Sequence, residues 1–178
     1  MEENIYLRET LAMLDLTGVT LALESGAFEG GGSKELLDAV GKVYTIEIGE
    51  ELAEGVKRRF EGQNVEVFCG RGQDGIKYFA EKIGGSEEFI YFSDSHYSMG
   101  NTSFDPEIGH GGCPVLEELE NLKPLRPRWI IIDDHLDFGT RDYPSPETLR
   151  TKIDELGNYF CWVRNEKNHQ LICKRIDE

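Results

Sequence analysis

Basic residues are scarce in this chain: 19 Lys and Arg stand against 34 Asp and Glu, for a formal net charge of -15. That balance opposes non-specific attraction to phosphate backbones and to anionic lipid, so neither nucleic acid nor membrane is an expected partner. Cysteine is sparse as well. Its four positions, Cys69, Cys113, Cys161 and Cys173, include no CxxC pair of the kind used by zinc sites or redox motifs, which points to a reduced, cytoplasmic chain. No stretch reaches the roughly 18 apolar residues of a membrane span, and MEENIYLRETLAML lacks the basic start and apolar run of a secretory leader. The glycine run from Gly26 to Gly32 matches neither the G-x-G-x-x-G dinucleotide fingerprint nor the G-K-[ST] ending of a P-loop.

What the chain does have is a regular alternation. Its 178 residues, 39% of them hydrophobic, suffice for one domain spanning 1–178 with a sizeable core. After a short helix over Tyr6 to Leu14, apolar runs at Val19 to Glu24, Lys42 to Ile48, Val65 to Cys69, Phe89 to Phe92 and Trp129 to Ile132 alternate with helical segments. Strands separated by helices imply a parallel sheet. The C-terminus breaks the rule, because only Asn165 to His169 separates the β-like runs Tyr159 to Arg164 and Gln170 to Ile176. So short a link leaves room for an antiparallel hairpin and not for a crossover helix. The expected architecture is α/β: a Rossmann-like, seven-stranded mixed sheet with helices on both faces, closed by that hairpin.

Ligands of open α/β sheets bind beyond the carboxyl ends of the strands. Three polar clusters fall there. The first, LALESGAFEGGGS, runs from strand 1 through Glu24 and Gly26 to Gly30 and the start of a helix, with Glu47 closing strand 2 at the spacing of an acid that holds a ribose diol. The others are Ser93-Asp94-Ser95-His96 after strand 4 and Asp133-Asp134-His135 after three isoleucines of strand 5. Against these stand plainer readings, a flexible surface turn for the glycines and solvated strand ends for the acids. Charges at the end of a buried strand, however, are rarely left without partners.

A strand-end acid followed by glycines, a second acid after strand 2 and a terminal hairpin resemble the class I S-adenosylmethionine-dependent methyltransferases across nearly the whole chain. The resemblance implies that Glu24, Gly26 and Gly30 face the amino-acid end of S-adenosylmethionine and that Glu47 holds its ribose. Arg71 fills the place of the family's acid after strand 3, and Asp74 is the residue that would compensate near the adenine. The pair of acidic clusters is similar to the catechol-type, metal-dependent O-methyltransferases, which implies a divalent cation such as Mg²⁺ on Asp94, Asp133 and Asp134. Tyr97 stands where those enzymes carry a lysine, so His96, and after it His135, is the expected general base. Either imidazole is alternatively a ligand for Mn²⁺, Fe²⁺ or Zn²⁺. His110 is expected in a lid, Ser93 to Gly112, over the acceptor, and His169 in solvent. The implied activity is methyl transfer to an oxygen of a small-molecule acceptor, with a homo-oligomer left open. Its rivals are a non-catalytic module that binds S-adenosylmethionine or a nucleotide, and an NAD-dependent α/β enzyme.

Overall fold

A computed structural model describes residues 3–85, 87–96, 113–140, 143–164 and 169–176. The elements run α1 (Ile5–Met13), β1 (Leu21–Ser25), α2 (Gly31–Val40), β2 (Val43–Glu47), α3 (Glu50–Arg59), β3 (Val65–Cys69), α4 (Gly72–Ala80), β4 (Phe89–Ser93), α5 (Val115–Leu122), β5 (Trp129–Ile132), α6 (Pro146–Leu156), β6 (Tyr159–Arg164) and β7 (Gln170–Arg175). Their ends follow local chemistry. Gly41 stops α2 in the left-handed region at φ 82°, and Ser145 caps α6 by accepting the Thr148 N–H, with Pro146 in the first turn. Helix α3 opens on Glu50 and Glu51 and closes on Lys57, Arg58 and Arg59, each set facing the favourable end of the helix dipole.

The seven strands form one sheet in the order β3-β2-β1-β4-β5-β7-β6. The first five are parallel, while β7 runs antiparallel to both β5 and β6, as the short hairpin link requires. Strands this apolar are buried on both sides, and successive residues serve opposite faces. Leu21, Leu23, Tyr91, Ile130 and Ile132 meet Ile76 and Phe79 of α4, Leu119 and Leu122 of α5 and Ile153 of α6. Ala22, Ile90, Phe92 and Ile131 meet Leu7 and Leu11 of α1 and Leu36 of α2. Each such side chain, fully buried, contributes on the order of 1.5–3 kcal/mol.

One expectation fails here. Cys161 and Cys173 sit directly opposite each other in the β6–β7 ladder and are joined as a disulfide, leaving Cys69 and Cys113 as thiols. The two cysteines are equidistant from the turn, so the hairpin's register, more than their separation in sequence, brings them together. The lid expected over 93–112 is described only at Ser93 to His96; Tyr97 and His110 lie outside the described residues, as does the turn at 165–168.

Ile131 has no exposed surface and sits in the middle of β5. Ile131→Ala is expected to lower the unfolding free energy by about 2–5 kcal/mol, read from urea denaturation with an unchanged m-value.

Candidate functional site

Strand order reverses between β1 and β4, since β2 follows β1 outward on one side while β4 begins the other half. Beyond the carboxyl ends of that pair lies a cavity of about 630 Å³. The glycine segment Gly26 to Gly32 forms one wall, Asp94, His96, Asp133 and Asp134 another, and Glu3, Asn4 and Tyr6 of the N-terminal segment a third. A smaller recess beside it is lined by Gly26, Phe28, Glu47, Leu52, Asp94, Ser95 and His96.

The glycines answer first to the protein's own packing. Gly26 has φ 94°, and a Cβ there would lie 2.2 Å from the backbone oxygen of Asp94, so the turns after β1 and β4 can touch only at a glycine. Gly30, at φ 82°, would press a Cβ to 2.8 Å from the Phe60 ring, and one on Gly32 would stand 2.3 Å from Glu24 Oε1. Two residues that are not glycine also take positive φ in the cavity wall, Phe28 at 47° and Asp134 at 55°. Backbone held in that sparsely populated region is characteristic of functional sites.

Glu24 and Glu47 are the acids of the first two strand ends. Glu24 has no exposed surface; its Oε2 accepts the hydroxyls of Ser33 and of Thr45, the latter at 2.6 Å, while its Oε1 has no hydrogen-bond partner among the described residues. Burial outweighs those hydroxyls and pushes its carboxyl up to about 7. Glu47 accepts the backbone N–H groups of Phe28 and Gly49, both at 2.8 Å, so the β2 acid shapes the glycine turn itself. Burial raises its carboxyl as well, against the pull of those two amides.

Three of the residues after β4 and β5 can gather on one point. One ligand atom each from Asp94, His96 and Asp134 lies within 4.8 Å of the others. His96 Nε2 is 2.9 Å from Asp134 Oδ2, and His96 Nδ1 is 3.7 Å from Asp94 Oδ1. Burial and the charges of Asp133, Asp134 and Glu24 raise the Asp94 carboxyl well above the usual range. Asp134 moves the other way: burial would raise it, but His96 and the Tyr143 hydroxyl hold it low. Asp133 lines the same cavity outside the close trio, accepting the N–H of Asp134 at 3.1 Å, and burial followed by the Asp134 charge raises it to about 6.

Neither Glu24 nor Gly30 is among the described lining residues of either cavity, and the remaining expected residues fall elsewhere. His135 lines neither cavity; its pKa is lowered by burial and by His169, whose imidazole is half-buried and not in solvent as expected. Asp74 is exposed in the first turn of α4, also away from both cavities. Two groups, one lining the site and one buried behind it, had no place among the sequence expectations. Tyr6 with its neighbours reaches the cavity from a segment with no motif, whereas buried Glu118 had a signal: with Val115, Leu119 and Leu122 it completes an i, i+3, i+4, i+7 stripe, an acid in the apolar face of α5.

No family model matches the chain, and no curated protein matches it. Solved structures do. An O-methyltransferase from Bacillus cereus in complex with SAH is 19% identical, with a TM-score of 0.64 over 97% of this chain and 81% of that one. An SAH-bound methyltransferase from Podospora anserina is 11% identical, with a TM-score of 0.66 over 99% and 80%. A 23S rRNA methyltransferase is 17% identical, with a TM-score of 0.60 over 100% and 70%. The chain therefore has the Rossmann-like methyltransferase fold, and relatives of that fold serve unlike acceptors.

Glu24 also gives a pH dependence. Its carboxyl titrates near 4.5 when unfolded and about 7 when folded, so the stability it contributes is complete below 4.5 and lost as pH rises through 7. The difference is about 3 kcal/mol as an order of magnitude. Urea unfolding at pH 5 and pH 8 should show a loss of stability with pH in the wild type that is smaller by that amount in Glu24→Gln.

Proposed function

We propose that the cavity transfers the methyl group of S-adenosylmethionine to an oxygen of a small-molecule acceptor, aided by a divalent cation. The observation that carries the reading is the unpartnered Oε1 of Glu24, buried beside Gly32 at the strand-order reversal of a methyltransferase fold. A buried carboxylate oxygen without a donor asks for one, and the cationic amino-acid end of the cofactor supplies it. Gly26, Gly31 and Gly32 line that wall, and Glu47, in the recess beside it, retains lone pairs for the ribose hydroxyls. When bound, the cofactor supplies a sulfonium-activated methyl group. Asp74 takes no part in this reading.

The donor set also fits a cation. Asp94 and Asp134 offer hard oxygens on one point, with Asp133 behind them in the same wall, and the burial and mutual repulsion that raise Asp94 are both countered by positive charge. A cation held there supplies a charge that favours ionisation of the acceptor hydroxyl. Proton removal falls to His96, not His135. Asp134 accepts from His96 Nε2 and so orients the ring at the cavity wall. The net charge of -15 favours a small acceptor over RNA, and the lack of the dinucleotide fingerprint in the turn after β1 disfavours NAD.

Two measurements test this. Calorimetry with SAH should show Glu47→Ala losing about 1–3 kcal/mol of binding, the worth of a pair of hydrogen bonds to a charged group; an unchanged affinity removes Glu47 from the site. Methyl transfer to a panel of hydroxylated aromatic acceptors should collapse in chelator, return with Mg²⁺ or Mn²⁺, and fail in Asp134→Asn. Activity that survives both treatments leaves His96 as a metal-free base. Tight SAH binding with no transfer to any acceptor selects the non-catalytic module.

A further inference from the structure

Glu118 lies on α5 with no exposed surface, and neither cavity touches it. Four hydroxyls converge on its carboxylate. Ser25 donates to Oε1 at 2.5 Å and Ser95 to the same oxygen at 2.8 Å; Tyr91 donates to Oε2 at 2.6 Å and Ser93 at 3.1 Å. The room for this shell is made by Gly72 in the first turn of α4, where a Cβ would stand 2.0 Å from Glu118 Oε1 and 2.8 Å from Ser25 Oγ. The N-terminal end of α4 thus abuts an anion, the favourable sense of its dipole.

The donors are not equivalent. Tyr91 and Ser93 belong to β4, whose position the parallel ladder with β1 and β5 already sets. Ser25 is the last residue of β1, immediately before Gly26. Ser95 is beyond the ladder, in the turn between Asp94 and His96, and its hydroxyl ties that turn to the core. A charged acceptor holds such a donor about twice as strongly as a neutral one does.

We propose that Glu118 is a positioning residue, which through Ser95 fixes the turn carrying Asp94 and His96 and through Ser25 fixes the start of the glycine segment. This rests on the reading of the cavity as a methyl-transfer site, and it assigns Glu118 no contact with either ligand. Its role is to hold the Asp94 carboxylate and the His96 ring at the spacing that the cavity presents. A displacement of about 1 Å in a reacting group can lower a rate by ~10²-fold, so the effect of loosening this turn is measurable.

The test compares two serines that donate to one carboxylate. Ser95→Ala and Glu118→Gln are expected to shift the ring-nitrogen NMR signals of His96 and to lower kcat/KM about tenfold or more, chiefly through kcat. Ser95→Thr, which keeps the hydroxyl, should restore both. Ser93→Ala, which removes a donor from within the strand, should leave both near wild type while lowering thermal stability to a similar extent. Wild-type His96 signals in Ser95→Ala overturn the proposal, as does an equal shift in Ser93→Ala, which would mark the shell as general packing. A loss in Ser95→Ala that Glu118→Gln does not reproduce also overturns it, placing the Ser95 hydroxyl on a ligand instead. If Glu118→Gln does not fold, the two serine variants decide. If no acceptor is methylated, the His96 spectrum decides alone, so failure of the proposed reaction and failure of the positioning role are told apart.

Discussion

A carboxylate taken out of water loses several kcal/mol of hydration unless donors replace it. This chain meets that demand at three acids packed against the carboxyl ends of its strands. Glu24 draws hydroxyls from α2 and β2, Glu47 draws backbone amides from the glycine turn and the start of α3, and Glu118 draws hydroxyls from β1, β4 and the turn beyond. Each acid therefore joins segments that the ladder leaves unconnected. The cavity walls stand where they do because removing any one segment would leave a buried charge short of partners.

The same side of the molecule gathers charge of one sign. Glu3, Glu29, Asp94, Asp133 and Asp134 line the larger cavity, and no Lys or Arg is among its described lining residues. Low-dielectric walls concentrate such a field, and the species drawn into it are cations. A sulfonium cofactor and a metal ion both answer that description. The overall charge extends the preference to the approach from solution, though salt screens it over about 8 Å at physiological ionic strength.

Nearly all of the architecture was legible in the sequence, because continuous apolar runs such as FIYF and WIII have one use in an α/β chain, as strands covered on both faces. The helix limits followed from Gly41, Ser145 and Pro146, whose backbone preferences act locally. The site was legible only in part. Asp94, Asp133, Asp134 and His96 were expected on one edge because strand ends project there, and they do line one cavity, but their spacing after β5 could not say that Asp134 turns toward His96 while Asp133 accepts a neighbouring amide. That choice depends on the left-handed backbone at Asp134, which no sequence pattern announces for an aspartate. Gly26 was expected to face the cofactor; it lines the cavity, and its missing side chain also makes room for the backbone of Asp94, which no sequence pattern announces. The disulfide was missed for a related reason, since it depends on hairpin register.

The first helix of the chain is held by the last two strands. Arg164 of β6 donates to the backbone oxygen of Tyr6 at 2.9 Å and to the Thr10 hydroxyl at 2.8 Å, and that hydroxyl in turn donates to Gln170 of β7 at 2.5 Å. These contacts close loops of 154 to 160 residues. On the ribosome, α1 leaves the exit tunnel before the strands of the sheet and meets these partners only after β6 and β7 have followed. The wall that Glu3, Asn4 and Tyr6 give the cavity is accordingly fastened only once β6 and β7 are made, and a nascent chain stalled before β6 carries the glycine wall of the cavity without this third one.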